Sequence, residues 1–416
     1  MGRDWRTMTL GISLCLLCCA GAGCQFGPAA LRMGHAQYNE AIRITYTEQL
    51  LLNLVRLRYR ERPIFLSVNN ISTQFQFDRS ADLAGTLNEN VGAPGKNPDA
   101  LRLSGRIGYS ERPTITFSIL EGEDFLTRML TPISTDHIFL LAESGWKTDR
   151  VLRLTVEAMN GLGNARGASG PTPALAPTYA EFLEAAQLLS KLQRDELVYM
   201  RYETRPARLS DPVPAQSLNP DTVVAAAKIG AAFRAADDGG GYVLTKAARA
   251  LVFGFSNQPR SSADVARLRD LLQLAGDQSL FDVSSAAGMP AAGRAEHART
   301  RLTLDTRSLM GVMYYLSNAV RAPARHEQAR LVTTTLDADD GRFDWSKVFA
   351  DLFSVYVSKP RPSGAAVAIR HRGYWFYIRD DDETSKSTLA LLAQLFALQA
   401  GSVKGSSPVL TLPVGG

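Results

Sequence analysis

The sequence predicts an α+β fold in which helices cover antiparallel hairpins. A strand-strand-helix order recurs three times along the chain, and helical stretches with one apolar face lie between these units. Apolar residues make up 45% of the 416 residues, which is enough for two or three domain-sized cores. Sequence identity among the three units is negligible, so we interpret the recurrence as an architectural pattern and not as a duplication.

The chain begins with a segment that has the pattern of a signal peptide. Arg3 and Arg6 supply a positive start, and Met8 to Ala20 is an apolar run of about thirteen residues, too short to span a bilayer. Small residues then precede Cys24. We therefore expect residues 1–23 to be removed from an exported protein.

The residues around Cys24, Gly21-Ala22-Gly23-Cys24, resemble the lipobox of bacterial lipoproteins, with Gly21 where leucine is usual. The resemblance implies that Cys24 becomes the lipidated first residue of the mature chain, since two or more acyl chains give stable anchoring. Gln25 follows, instead of the aspartate of an inner-membrane retention signal. The expected location is thus the outer membrane of a Gram-negative cell, facing the periplasm. The alternatives are an ordinary secretory peptide or a cytoplasmic protein with an apolar start.

Composition excludes several kinds of site. The chain has four cysteines, and all lie in this first segment: Cys15, Cys18, Cys19 and Cys24. A mature body without a free thiol has no disulfide, thiol catalysis or cysteine metal site. Removing residues 1–23 leaves 44 basic and 40 acidic side chains, and this mild excess without a lysine-rich tail argues against a nucleic-acid partner.

No local motif predicts a catalytic, cofactor or metal site. No two of the five histidines are spaced as zinc ligands, and the sequence contains no G-x-S-x-G, P-loop or G-x-G-x-x-G motif. A catalytic site assembled from dispersed residues remains open. We therefore expect no cofactor, and we favour a protein that is not an enzyme.

The elements of the first half follow from periodicity and turn residues. Residues 37–60 have one apolar face and predict a long helix that ends before Pro63. The patterns further predict a strand at 64–77, a loop at 82–100, a strand pair at 101–108 and 113–119 followed by a helix, and helices at 150–162, 178–194 and 220–236.

The second half repeats the pattern twice. It predicts strand pairs at 241–245 with 249–255 and at 365–370 with 374–378, helices after Ser262, at 306–320, 344–357 and 384–399, and an edge strand at 409–413. The acidic run 380–383 fits the N-terminus of the last of these helices, because its spacing is not that of a calcium loop.

The predicted organisation is a signal peptide at 1–23, a lipidated tether at 24–36, an N-terminal α+β unit at 37–162, a middle helical and hairpin unit at 178–283 and a C-terminal α+β unit at 295–416. The small-residue stretches 163–177 and 284–294 are interpreted as flexible crossings between these units.

Two clusters are candidates for a ligand or partner surface. The first is a tract of alternating arginines at the end of the first helix: Arg56, Arg58, Arg60 and Arg62. Such guanidiniums suit phosphate head groups or an acidic partner, whereas the structural interpretation, which we favour, is that they complement the helix dipole. Arg56 and Arg60 are our candidate contacts from this tract.

The second cluster is the aromatic run Tyr374 to Tyr377, which follows Arg370-His371-Arg372. On a strand, Trp375 and Tyr377 lie on the face opposite Phe376, so both faces are aromatic. One face is expected in the core. The other is a second packed layer, which we favour, or a ligand surface with Arg372 at its rim.

These features favour a membrane-anchored periplasmic lipoprotein that acts as a non-catalytic binding or scaffold component of the cell envelope. Its expected partners are the membrane, through Cys24, and an envelope protein or a glycan. The alternative is an envelope enzyme that acts on glycan or lipid with a site of dispersed residues.

Overall fold

The computed structural model describes residues 26–86, 100–171, 173, 175–236, 239–256, 262–285, 299–400 and 410–413. These residues form two compact units. The first contains 26–45, 64–86, 100–125 and 410–413, and the second contains 46–63 and the described residues between 126 and 400. The fold is of the α+β class, as predicted.

The described part of the chain contains eleven α-helices. They are α1 (Phe26–Arg58), α2 (Glu123–Leu130), α3 (Thr135–Glu143), α4 (Thr148–Thr155), α5 (Ala180–Arg194), α6 (Pro220–Lys228), α7 (Ala263–Leu271), α8 (Leu309–Ser317), α9 (Ala324–Gln328), α10 (Ser346–Phe349) and α11 (Glu383–Ala400). None of the described helices is long and apolar enough to cross a membrane.

Helix α1 begins earlier than predicted, at Phe26, so most of the expected tether is helical. Pro28 lies in its first turn, where a proline removes no intrahelical hydrogen bond. The buried side chains Leu50, Leu54 and Val55 confirm the predicted apolar face.

The first unit contains a three-stranded antiparallel sheet in the order β1-β2-β13. Its strands are β1 (Leu66–Thr86), β2 (Ala100–Ile119) and β13 (Leu410–Pro413). The predicted edge strand at the C-terminus is thus confirmed, with Leu410 opposite Phe117. The predicted strand pair within 101–119 is wrong, because β2 is continuous and pairs with β1. Residues 109–112 contain no glycine, asparagine or proline, so no tight turn forms there.

The predicted loop at 82–100 is also wrong where the structure describes it. Residues 82–86 continue β1 and pair with residues 100–104 of β2. Residues 87–99 lie outside the described residues.

The second unit contains a seven-stranded mixed sheet in the order β4-β3-β9-β8-β7-β5, with β6 also paired to β7. Its strands are β3 (Val156–Met159), β4 (Leu162–Gly163), β5 (Val198–Arg208), β6 (Ala231–Ala235), β7 (Tyr242–Phe255), β8 (Leu280–Ser285) and β9 (Arg301–Thr306). Only β8 and β9 are parallel. The predicted strand pair within 241–255 is wrong, since β7 runs through the Lys246-Ala247-Ala248 stretch, where β5 pairs with it.

Three predicted helices are shorter than expected. The 150–162 and 220–236 segments end in β3 and β6, because pairing with β9 and β7 overrides local helical preference. Gly230, with a φ of 71°, separates α6 from β6. The 344–357 segment is helical only over α10. The helices predicted at 178–194 and 306–320 correspond to α5 and α8.

The segment predicted as the first crossing contributes to the core of the second unit. Asn164, Ala165 and Ala168 are buried there. In the second crossing, residues 284 and 285 end β8, and residues 286–294 lie outside the described residues.

The C-terminal hairpin and helix are the one repeat unit predicted correctly throughout. The strands β11 (Ala365–His371) and β12 (Tyr374–Arg379) form an antiparallel hairpin, and β10 (Tyr356–Ser358) pairs with the other edge of β12. Arg372 and Gly373 both have positive φ, as a two-residue hairpin turn of the type I′ class requires. Asp382 caps α11 by accepting hydrogen bonds from the backbone N–H and hydroxyl of Ser385 at 2.9 and 2.7 Å.

Candidate functional site

The arginines at the end of α1 do not form one patch. Arg56 donates to Asn53 Oδ1 at 3.3 Å, and Arg60 donates through Nε to Thr333 Oγ1 at 2.9 Å. Arg58 is buried, with 8% of its surface exposed. Three neighbouring arginines therefore have three different environments, because Arg56 and Arg58 point to different sides of α1 and Arg60 lies in the turn after it, with a φ of 60°.

Arg58 lies in the wall of a cavity of about 320 Å³ in the second unit, which we call the arginine pocket. Its charged lining comes from the end of α1, the loop before α9, α9 itself and the loop before α10. Aromatic rings complete the wall. The residues used below are Arg58, Arg321, Glu327, Arg342, Asp344 and Trp345.

Both carboxylates of the arginine pocket are engaged by neighbouring groups. Arg342 donates two hydrogen bonds to Glu327, at 2.9 and 2.6 Å, in the bidentate geometry that suits a guanidinium. Asp344 accepts from the backbone N–H and the hydroxyl of Ser346 at 2.9 and 2.8 Å. Those two hydrogen bonds lower the pKa of Asp344 below its ordinary value.

Arg58 is the buried charged group of the arginine pocket with the fewest hydrogen bonds. Its one hydrogen bond among the described residues joins its Nη1 to Asn318 Oδ1 at 3.5 Å, and its buried Nε has no partner there. Burial lowers the pKa of Arg58 to about 10, so the guanidinium is still charged at neutral pH.

A second cluster of ionisable groups joins the end of α1 to α9. Tyr59 Oη lies 2.7 Å from His326 Nδ1. Burial raises the pKa of Tyr59 to about 12, so we assign the hydroxyl as the donor and place the proton of the neutral imidazole on Nε2. Burial and the nearby Arg372 lower the pKa of His326.

The same cluster includes the turn of the C-terminal hairpin. Arg372 donates through Nε and Nη2 to Glu61 Oε1 at 2.9 and 2.7 Å. His371 Nε2 lies 3.4 Å from that oxygen without a hydrogen bond to it, and its ring stacks edge-on against Tyr59 at 5.3 Å. Burial lowers the pKa of His371 despite the opposing effect of Glu61. The predicted candidate Arg372 thus meets the end of α1.

Trp375 and Tyr377 lie on one face of β12 and are half-buried. With Tyr356 of β10, whose ring is 5.8 Å from that of Tyr377, they form what we call the aromatic face. Arginines stack on these rings: Arg361 lies 5.3 Å from the Trp375 centroid, and Arg321 lies 4.5 Å from that of Tyr356.

The opposite side of β12 is core. Phe376 and Ile378 are both 0% exposed. Of the two side chains expected at the centre of this packing unit, Phe376 or Trp375, the buried one is Phe376. Trp375 is half-buried, so the favoured second packed layer is incomplete. The aromatic face is held by its own rings and arginines, which cover it only in part.

The arginine pocket was not predicted from the sequence. The signal was present, because Leu50, Leu54 and Arg58 follow one another at intervals of four on α1. Arg58 therefore continues the buried stripe of the helix. Arg321 and Arg342 carry no comparable signal, since both belong to loops. Cys24 lies outside the described residues.

Within the described residues, no group of three or more histidine, cysteine or acidic side chains is placed to hold a metal ion. Comparison of the chain with protein-family models, with curated proteins and with solved structures finds no match in any of the three.

Proposed function

We propose that this protein is a lipid-anchored component of the bacterial cell envelope that binds an envelope protein without catalysing a reaction. The anchor is Cys24 in the outer membrane, with the body facing the periplasm. The proposed location rests on the signal-peptide pattern and the lipobox-like residues before Cys24. The proposed binding role rests on the aromatic face.

The aromatic face has the composition of a protein-binding surface. Tryptophan, tyrosine and arginine are the residues that most often dominate the binding energy of protein interfaces. Trp375 and Tyr377 are already ordered by neighbouring rings and arginines, so binding costs little side-chain entropy. We therefore favour a protein partner over a glycan, although both stack on exposed aromatic rings.

The experiment compares Trp375→Ala with Tyr242→Ala, which removes another exposed ring of the second unit. Each protein is extracted from membranes in mild detergent, and co-purifying proteins are identified. We expect Trp375→Ala to lose a partner that Tyr242→Ala retains. Because Trp375 is half-buried, the free energy of unfolding of the Trp375→Ala protein should fall by less than the roughly 3–5 kcal/mol that is typical when a fully buried aromatic residue is truncated.

An unchanged set of partners together with a loss of stability of that full size would assign Trp375 to packing and overturn the proposed binding role. Loss of retention on peptidoglycan, with all protein partners kept, would instead assign the aromatic face to a glycan.

One observation favours the alternative of an envelope enzyme acting on glycan or lipid. Tyr59, His326 and His371 have shifted pKa values and lie in contact, which is typical of catalytic sites and also of buried structural networks. Hydrolysis of peptidoglycan or phospholipid by the purified protein, abolished by His326→Gln, would establish this function.

A further inference from the structure

We infer that the arginine pocket binds a small carboxylic acid whose carboxylate pairs with Arg58. This inference does not depend on the anchor at Cys24, and the arginine pocket shares only Arg321 with the surroundings of the aromatic face.

Most of the hydrogen-bond donors of the Arg58 guanidinium have no acceptor among the described residues. Arginine carries five N–H donors, and Arg58 uses one of them in a long contact of 3.5 Å to Asn318. Its Nε is buried without a partner among the described residues, in the wall of a cavity. Glu327 attracts the charge of Arg58, but both of its oxygens are engaged by Arg342. An oxyanion in the cavity would supply a closer counter-charge and an acceptor for the terminal N–H groups of the guanidinium.

The two carboxylates of the arginine pocket are already engaged and form no ion pair with Arg58. Glu327 is held by Arg342 through both of its oxygens, and Asp344 is held by Ser346. The lining therefore contains three arginines and two carboxylates, which leaves one positive charge. A group with one negative charge balances it. A carboxylate matches this requirement better than a phosphate monoester, which carries close to two charges at neutral pH.

The arginine pocket has the volume and the aromatic lining of a small-molecule site. A volume of about 320 Å³ lies at the lower end of the range for small-molecule sites. Trp345, Phe343 and Phe349 contribute rings to the lining, and the indole N–H of Trp345 is already donated to Thr335 Oγ1 at 3.0 Å. These rings favour a ligand with an apolar body beside its carboxylate.

Arg321 supplies a second cation. It lines the arginine pocket, and it is exposed, while its guanidinium stacks on the Tyr356 ring at 4.5 Å. Stacking uses the face of the guanidinium and leaves the N–H groups in its plane available for an anion.

The test measures binding of three probes of similar size to the full-length protein in detergent: benzoate, phenyl phosphate and neutral benzyl alcohol. Calorimetry gives the affinities at matched ionic strength, and the unfolding temperature is followed in parallel. We expect benzoate to bind saturably and to raise the unfolding temperature, with phenyl phosphate weaker and benzyl alcohol without effect. Equal binding of benzyl alcohol, tighter binding of phenyl phosphate, or no saturable binding of benzoate would overturn the inference.

The decisive variant is Arg58→Met, with Arg370→Met as a control that removes an exposed arginine outside the pocket. Loss of a charge-assisted hydrogen bond corresponds to a benzoate affinity about tenfold to a hundredfold weaker. The ligand-free Arg58→Met protein should unfold at the same or a higher temperature, because an unpaired buried charge has been removed. A structural arginine would behave in the opposite way, with lower stability and unchanged affinity.

A second variant keeps the test valid should Arg58→Met not fold. Arg321→Gln changes an exposed side chain that stacks on Tyr356, so it is expected to lower the unfolding temperature only slightly while weakening benzoate binding. Unchanged benzoate affinity in Arg321→Gln would contradict the assigned site. Because the probes are free small molecules, failure here leaves the proposed protein-binding role of the aromatic face untouched.

Discussion

Arg307 shows how a buried charge is stabilised without a counter-ion. It is 0% exposed, and burial lowers its pKa below the ordinary value. Its Nε donates a hydrogen bond to the Ser169 hydroxyl. Its terminal N–H groups donate to four backbone carbonyls at and beyond the end of α4, those of Arg153, Leu154, Val156 and Asn164. It also stacks on Tyr315, 4.0 Å from the ring centroid. Arg307 therefore caps the end of α4 together with Asn164, whose side-chain amide also donates to the carbonyls of Arg153 and Val156 at 2.9 and 2.7 Å.

We predict that Arg307→Met lowers the free energy of unfolding by about 3 kcal/mol, because the buried carbonyls of Leu154 and Asn164 lose their side-chain donor together. Chemical denaturation measures this difference. Arg301→Met is the control, because Arg301 is an exposed arginine at the start of β9, the strand that ends just before Arg307, and the change should be small. Equal stability of the two variants would show that solvent replaces Arg307 and that the network is not structural.

Arg58 and Arg307 differ in what the sequence reveals of them. Arg58 follows Leu54 by four residues on the same helix, so its burial could be predicted from the spacing of the apolar residues. The acceptors of Arg307 are more than 130 residues away in the chain, and no local pattern predicts such contacts.

At the level of elements, the cluster at the end of α1 makes stability dependent on pH. Burial lowers the pKa of both His326 and His371 below the ordinary value of 6.5. Below that pH the unfolded chain takes up protons that the folded protein does not bind. The stability that the neutral imidazoles contribute is therefore fully present above pH 6.5 and is lost as the pH falls toward the folded-state pKa values.

We predict that the free energy of unfolding decreases as the pH is lowered from about 7 to about 5.5, and that the double variant His326→Gln, His371→Gln flattens this decrease. Denaturant titrations at a series of pH values test it. The same slope in the wild type and the double variant would mean that other groups titrate, and that these imidazoles are accessible to protons in the folded state.

Element boundaries were predicted well where local chemistry decides them. The hairpin at Arg372-Gly373 and the Asp382 cap have short-range signals, and both are confirmed. Strand length was not predictable in the same way. Strands β2 and β7 pass through polar or small-residue stretches that resemble turns, and pairing with β1 and β5 holds them extended.

At the scale of the whole molecule, the α+β class followed from the mixture of patterns, but the site did not. Glu61 and Arg372 are hydrogen-bonded although 311 positions separate them, and Tyr59 and His326 are 267 positions apart. Only the tertiary fold brings such residues together. A single sequence does not show which distant residues are in contact. The candidate clusters at Arg56–Arg62 and Arg370–Tyr377 were therefore predicted separately, and the contact between Glu61 and Arg372 was not predicted.

The proposed attachment to the membrane concerns the whole molecule, because a lipid anchor at Cys24 would set the location of the entire body. We predict that Cys24→Ser releases the protein from membranes or leaves its precursor uncleaved, since Cys24 is the only cysteine expected in the mature chain. Cell fractionation and the mass of the purified protein measure both outcomes. Cys19→Ser is the matched control. It changes a cysteine of the apolar run that is expected to be removed, so the mature mass and the membrane fraction should be those of the wild type. A Cys24→Ser protein with the wild-type processed mass, recovered with the outer membrane, would exclude lipidation at this residue, and the body would then need another means of attachment.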